Sequence, residues 1–334
     1  MPTNVPPQYY DAEERFRQAR TTQAKIAALQ EMMAIMPKHK GTDHLKARLR
    51  AQLSRLMDEL EGPSKGPGGG RSEPFSLPKE GAGRATLIGP TNVGKSLLLS
   101  RATGAQSKVG AYALSTQEPV PGMMPVMGTS VQLVDTPPIT NPRTQSRLYG
   151  LLRNSDVFVI VVDLSVDAVA QAREVFSELG DWGFRLLERD QPRDEVDPWL
   201  SKPTLIAANK ADIPGALEQY GPLEKEFGGR YPIVMVSAEE KVGLEELGQE
   251  IFRALRVIRV YTKSPREKLE EFVKVNPVVL PIGSTVEEAA DRIHKDLRRQ
   301  LKYAVLWGQS GKFHGQRVGR THRLADEDII ELHT

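Results

Sequence analysis

Residues 89–96 read Gly-Pro-Thr-Asn-Val-Gly-Lys-Ser, the spacing G-x-x-x-x-G-K-[ST] of a loop that wraps phosphate. Each residue type has a chemical reason. Gly89 and Gly94 let the backbone close around an anion, and the amides at the start of the following helix, Leu97 included, donate hydrogen bonds to it. Lys95 supplies a point charge for β- and γ-phosphates, and Ser96 a hydroxyl for Mg²⁺. A short apolar strand (85–89) precedes the loop and a helical stretch (97–102) follows it. That context separates a phosphate loop from a chance glycine turn. Asp135 ends the next hydrophobic strand, 131–134, where a carboxylate can hold the same Mg²⁺ through its water shell.

A second constellation reads the base. Asn209-Lys210-Ala211-Asp212 follows an apolar strand at 204–208. The Asp212 carboxylate can accept from guanine N1–H and from the exocyclic amine. Adenine has an acceptor at N1 and no amine at C2, so it would leave that carboxylate unpaired. Asn209 can reach the guanine edge and tie its loop to the phosphate loop, while the Lys210 stem lies along the ring. Ser237-Ala238, after the strand 233–236, places a backbone amide near guanine O6. In this order the motifs point to GTP rather than ATP, and a kinase or metabolic ATPase is disfavoured.

The elements that must position these residues follow from hydrophobic patterning. Strands at 85–89, 131–134, 157–162, 204–208 and 233–236 alternate with helices such as 169–179 and 244–255. Such alternation implies a mainly parallel sheet covered on both faces. Residues 188–202 are charged and contain proline, and read as an exposed loop. Ahead of the sheet, 11–60 reads as helix. Leu45, Leu49, Leu53, Leu56 and Leu60 share one face, Ile26, Leu29, Met33 and Met36 another, and Pro37 and Gly41 part them into an antiparallel pair. Lys38 to Arg55 holds six Lys/Arg and one Asp, either a solvated face or a seat for an anionic partner. The Gly/Pro-rich stretch 62–83 reads as a linker. Strands at 257–261, 277–280, 303–307 and 329–332 surround one helix at 286–301, a small α+β domain. The division is therefore 1–62 helical, 63–83 linker, 84–256 nucleotide domain and 257–334 α+β domain.

The chain has 334 residues, 45 Lys/Arg against 43 Asp/Glu, and no Cys. Disulfides, thiolate zinc sites, Fe–S clusters and Cys nucleophiles are excluded, and a reducing compartment fits. The longest apolar run is Val157 to Val162, far short of the roughly 20 residues that span a bilayer. Residues 1–10 lack the basic and apolar parts of a secretory signal, so a cytoplasmic location is expected. Charge is uneven: from Arg292 to Arg323 there are nine Lys/Arg against one acid, Asp296. A basic face of that kind fits RNA. No single-strand stacking platform is evident in the pattern, so shape recognition of structured RNA is the expectation. The interspersed His residues lack metal spacing.

The motif order resembles that of translation-factor-like GTPases, and most of all the developmentally regulated GTP-binding proteins, relatives of the Obg group. The resemblance extends over nearly the whole chain. Lys40-Gly41-Thr42-Asp43-His44-Leu45 is similar to the family's N-terminal helical segment. Arg259-Val260-Tyr261-Thr262-Lys263, Lys302 through Gly308, Val318-Gly319 and Asp326-Glu327-Asp328 are similar to its C-terminal TGS domain. The resemblance implies an α/β P-loop GTPase domain with an N-terminal helical segment and a β-grasp (TGS) domain. It also implies the cofactors GTP and Mg²⁺, a ribosome partner, and a protein partner at the N-terminal helices.

Two departures stand out. The family's inserted domain shrinks here to about 185–202. The family's Asp-x-Pro-Gly reads Asp135-Thr136-Pro137-Pro138, and Pro138 has no N–H to offer a γ-phosphate. Likeness to the family also makes Thr116 the candidate first-switch hydroxyl for Mg²⁺, with Ser115 and Thr129 as competitors. Ile139 stands where many GTPases have a water-orienting Gln, so intrinsic hydrolysis should be slow. Asn92 either braces the phosphate loop or, as in related potassium-activated GTPases, helps hold K⁺. The function expected is a slow GTPase switch bound to the ribosome or RNA. The alternative is a low-turnover GTP-binding scaffold in a non-ribosomal protein complex.

Overall fold

The computed structural model describes residues 7–19, 22–35, 49, 77–104, 118–139, 145–192, 197–265 and 272–334. It divides into two compact units, Met1–Arg71 and Ser72–Thr334. In the first, α1 (Pro7–Gln18) and α2 (Thr22–Ile35) pack together. Tyr9, Ala12, Leu29, Met32 and Leu49 form their apolar seam, and Arg15 pairs with Glu31 at 2.8 Å. The chain already breaks after α1, well before Pro37. Most of the leucine-rich stretch and the linker lies outside the described residues.

The second unit holds two sheets. The larger is built from β1 (Arg84–Ile88), α3 (Lys95–Thr103), β2 (Val120–Val126), β3 (Thr129–Asp135), α4 (Gln145–Arg153), β4 (Val157–Asp163), α5 (Ala168–Asp181), β5 (Arg185–Leu187), β6 (Ser201–Asn209), α6 (Leu217–Leu223), β7 (Ile233–Met235) and α7 (Leu244–Leu255). Strand order is β2-β3-β1-β4-β6-β5, with β7 also on β6. Every pairing is parallel except β2–β3. All seven residues of β4 and all nine of β6 are buried, as befits central strands covered on both faces. One face packs Leu87, Val159, Leu205 and Ile251, the other Ile88, Ile160, Ile206 and Leu148. The registers Leu87↔Asp135, Ile88↔Ile160 and Asp163↔Asn209 align the carboxyl ends of β1, β3, β4 and β6 along one edge. Ligands of parallel α/β sheets bind at that edge.

Three differences from the sequence reading have physical causes. β2 carries Pro121, Gly122 and Pro125 and is not among the strands read from the pattern, yet it pairs with β3 along its whole length. It is the sheet's edge, where a missing N–H costs no ladder bond. Residues 201 and 202 belong to β6 and not to an exposed loop. Lys202 is buried, its ammonium donating to the carbonyls of Arg153 (2.7 Å) and Ser155 (2.5 Å). Charge made this residue look solvated, whereas carbonyls at the end of α4 satisfy it. Residues 77–83, read as linker, are strapped to the sheet. Buried Arg84 donates to Gln132 (2.7 Å) and to the Leu77 carbonyl (2.5 Å), and Lys79 pairs with Asp156 at 2.8 Å.

The smaller sheet comprises β8 (Val257–Thr262), β9 (Val278–Pro281), β10 (Tyr303–Trp307), β11 (Gln316–Val318) and β12 (Ile329–His333), in the order β11-β10-β12-β8-β9. Parallel β12–β8 at its centre and a helix across one face make a β-grasp arrangement. The helix foreseen over 286–301 is two helices, α8 (Val286–Ile293) and α9 (Lys295–Gln300). His294 between them is extended (φ −163°, ψ 137°), and its ring accepts from the Asp296 amide. The basic residues therefore share no single helical face. Arg298 and Arg320 both pair with Glu287, at 3.1 and 2.7 Å, and Arg299 meets Asp296 at 3.6 Å. Among the described residues, no helix is long and apolar enough to cross a membrane.

Arg259 joins the two sheets. Its guanidinium is clamped by Asp326 (3.1 and 2.6 Å) and Glu327 (2.9 Å), and donates at 2.8 Å to the Met127 carbonyl at the β2–β3 turn. Hydrogen bonding to Asp326 holds its pKa above the ordinary arginine value. Arg259→Ala strips a buried cation from two carboxylates and a carbonyl. It is expected to destabilise the protein by about 2–4 kcal/mol, read as a lower urea midpoint. It should also speed amide exchange at Met127 and Gly128 relative to β1. Unchanged exchange at the turn would show that Arg259 does not hold it.

Candidate functional site

Loops at the carboxyl edge of the larger sheet converge. The Gly89–Ser96 loop leaves β1 and enters α3. At Gly89 a Cβ would stand 2.4 Å from the Val161 carbonyl oxygen, so β4 runs too close for any other residue. At Gly94, φ is +92° and a Cβ would meet Asn209 Nδ2 at 2.4 Å. Asn92 is also left-handed (φ 63°) and exposed. Among the described residues its side chain makes no hydrogen bond, so the loop's shape comes from backbone conformation and not from Asn92 bracing. Leu97 lies in the first turn of α3, half-buried against the core.

Lys95 is buried and donates to the carbonyls of Gly89 (2.8 Å) and Pro90 (2.7 Å), folding back over its own loop. Ser96 Oγ donates to Asp135 Oδ2 at 2.5 Å. A hydroxyl and a carboxylate so close form a pair of hard oxygen donors, which suits Mg²⁺ completed by water and phosphate. Thr136 donates to the Leu87 carbonyl at 2.7 Å and ties the segment after Asp135 to β1. Pro138 is buried, and Ile139, 4% exposed, packs in the core cluster that holds Leu148 and Ile88. Ile139 is therefore a core residue and does not face the phosphate loop with a polar group. Thr116 and Ser115 lie outside the described residues. Thr129 opens β3 at the far end of the strand from Asp135, about 20 Å away at ~3.4 Å per residue, which removes it as a metal ligand.

At the neighbouring loops, Asn209 Nδ2 donates to the Val93 carbonyl at 2.8 Å and Oδ1 accepts the Ala238 amide at 3.1 Å. The Ala238 amide, expected to face guanine O6, is thus engaged by Asn209, whose short buried side chain offers an acceptor beneath it. Ser237 Oγ donates to Asp212 Oδ1 at 2.5 Å and accepts the Glu240 amide at 3.0 Å. It orients the carboxylate that would read the base. Lys210 is left-handed (φ 66°), and its ammonium pairs with Asp163 at 2.5 Å. Asp163 was missed by sequence reasoning. Burial alone would raise its pKa, but Lys210 and the hydroxyl and amide of Ser165 outweigh that and hold it low. Its position at the end of the apolar strand β4 was the available signal, the same one that picked out Asp135.

A phosphate loop, a hydroxyl–carboxylate pair and an Asn-Lys-x-Asp loop on one edge of a parallel sheet, followed by a β-grasp sheet, define a P-loop GTPase with a TGS domain. Family models agree: residues 84–210 match "50S ribosome-binding GTPase" and residues 258–334 match "TGS domain". The chain is 30% identical to developmentally-regulated GTP-binding protein 1 of Xenopus laevis, over 93% of this chain and 98% of the relative. Developmentally-regulated G-protein 3 of Arabidopsis thaliana matches at 30% with the same coverages, and developmentally-regulated GTP-binding protein 2 of Mus musculus at 28%, over 92% and 98%. This chain belongs to the developmentally regulated GTP-binding proteins. The 365-residue alignment to the Xenopus relative exceeds this chain's own length, so that relative holds residues this chain lacks.

Burial pushes the Lys95 ammonium down to about 8, against the pull of the Asp135 carboxylate that works to hold it up. Below pH 8 the fold bears the cost of a buried cation, and that cost is relieved as pH rises from about 8 toward 10.5. An anionic phosphate raises the pKa instead. Nucleotide binding near pH 8.5 should therefore take up a fraction of a proton, and affinity should fall as pH climbs above 8. Calorimetry in two buffers of different ionisation enthalpy measures this. Proton release, or Lys95→Ala leaving the uptake intact, would count against it.

Proposed function

We propose that this protein is a slow GTP-hydrolysing switch of the cytoplasm that associates with RNA, foremost that of the ribosome. The observation that carries the reading is the Asn209 bridge between Val93 and Ala238. It couples the loop that would hold phosphate to the loops that would hold the base. Gly89, Gly94, Lys95, Ser96 and Leu97 would then cradle the phosphates, and Asn209, Lys210, Asp212, Ser237 and Ala238 would enclose guanine. Ser96 and Asp135 would hold Mg²⁺, joined by Thr116 when GTP is bound. When bound, the ion would supply charge stabilisation to the phosphates. With Ile139 in the core and no N–H at Pro138, stabilisation of the transition state falls to Lys95, loop amides and added cations, which supports slow turnover. The exposed, unbonded Asn92 side chain supports K⁺ as one such cation. The ribosome enters through the family model's description and the basic residues of the TGS domain.

Two experiments test this. Asp212→Asn exchanges one acceptor for a donor, so affinity for guanine nucleotides should fall at least a hundredfold while xanthine nucleotides, with a carbonyl at C2, gain. Co-sedimentation with ribosomes should be stronger with a non-hydrolysable GTP analogue than with GDP. Equal sedimentation would keep the RNA contact and remove the switch, and no sedimentation would favour the protein-complex scaffold. Separately, hydrolysis should be faster in K⁺ than in Na⁺, and Asn92→Ala should erase that difference. Equal rates in wild type would dismiss the K⁺ site.

A further inference from the structure

The TGS sheet has one face against α8 and one face turned away. Alternation along β10 sends Ala304 and Leu306 inward to the core, and Tyr303, Val305 and Trp307 to the outer face, half-buried. Among the described residues, the outer face is covered at one end. There Arg259 meets the Met127 carbonyl and the Lys274 ammonium lies 5.3 Å from the Tyr261 ring centre. The other end is open and carries a stack. The Arg317 guanidinium sits 3.7 Å from the Tyr303 ring centre, and His333 stacks on Tyr303 at 4.5 Å with 8° between planes. Because β10 lies between β11 and β12, arginine and histidine flank the tyrosine from opposite sides. Across the face, Lys263 lies 5.2 Å from the Trp307 ring centre.

The exposed charge on this end is of one sign, because Glu331, the acid opposite Val305 on β12, is buried and held by Lys263 and by His333 at 2.8 Å. From residue 302 to 325 there is no Asp or Glu, against Lys302, Lys312, Arg317, Arg320 and Arg323. Of these, Arg320 is taken by Glu287 of α8 and Arg323 forms a β-bridge with Thr285 at the start of α8, so Lys302, Lys312 and Arg317 are left for the open end. The β10–β11 loop adds Phe313, 65% exposed, between Lys312 and His314. Exposed Arg317 ends the stack on edge strand β11, where a further flat ring can continue it, and the cations around it suit a polyanion. Unstacked nucleobases on a phosphate backbone have both properties, and arginine planes and aromatic rings are their usual seats. Duplex RNA hides its base faces and cannot use the stack.

We propose that this open end of the TGS sheet binds single-stranded RNA, one base stacking on Arg317 in line with Tyr303 and the backbone lying along Lys302 and Lys312. The proposal rests on the RNA association above and replaces shape recognition with base stacking. The full chain is titrated with a fluorescein-labelled 12-nucleotide single strand, the same sequence as a duplex, and the matching DNA strand, read by anisotropy. Single-stranded RNA should bind more tightly than the duplex. Arg317→Lys keeps the charge and loses the plane, and should weaken single-strand binding roughly tenfold, as should Tyr303→Ala. Arg317 is exposed, so its variant tests the idea even if Tyr303→Ala fails to fold. GTP hydrolysis should be unchanged in Arg317→Lys. Equal affinity for single strand and duplex, or an unaffected Arg317→Lys, overturns the stacking site and leaves RNA association standing. No binding of any RNA by the wild type overturns both. Preference for the DNA strand overturns the assignment to RNA.

Discussion

Asn209 holds two loops with one side-chain amide, giving an N–H to the Val93 carbonyl and taking the Ala238 N–H. Both contacts are buried, where a polar group left unmade costs about 1–3 kcal/mol. The side chain also sets the shape of its surroundings. A Cβ on Gly94 would stand 2.4 Å from its Nδ2, so the asparagine in this place requires a glycine there. Around this bridge the other groups take fixed stations: Lys210 on Asp163, Asp212 on Ser237, and Ser96 on Asp135. Each is a pair contributed by different loops, and the parallel register of β1, β3, β4 and β6 brings those loops to the same edge.

Buried cations recur away from this edge. Arg84, Lys202, Arg259 and Lys263 are all enclosed, yet each finds carbonyls or carboxylates at the ends of strands and helices. Their long stems bring apolar surface into the core while the charged heads reach polar rims. Such pairs add little net stability compared with apolar residues, but losing one partner is costly because a charge is left behind. In this chain they sit where segments must be fixed. Arg84 straps residues 77–80 to the sheet, and Lys202 anchors the end of α4.

Arg259 places the TGS sheet against the turn of the β2–β3 hairpin. The opposite end of that hairpin is the Asp135 end, so one antiparallel ribbon runs from the phosphate edge to the second domain. The contact covers one end of the outer TGS face and leaves the end bearing Tyr303, Trp307 and Arg317 open.

What the sequence by itself determined was local. The phosphate loop needs glycines and a lysine at set spacing, the base loop needs an acceptor after a strand, and uninterrupted β-branched runs mark central strands. These signals are contained within a few residues, and the structure keeps them at Gly89–Ser96, Asn209–Asp212 and β4. The edge strand β2 was illegible because prolines forbid a ladder bond only on the paired side, and sequence does not say which side is paired. Lys202 read as solvated because its carbonyl partners lie about 50 residues upstream. The break at His294 turned on a ring nitrogen taking the place of a backbone acceptor. The stack of Arg317, Tyr303 and His333 exists only once three strands are set side by side. The His294 cap is local, two residues from its partner; the others only the tertiary structure decided, since each depends on which distant segment supplies the partner for a charge, a ring or a strand.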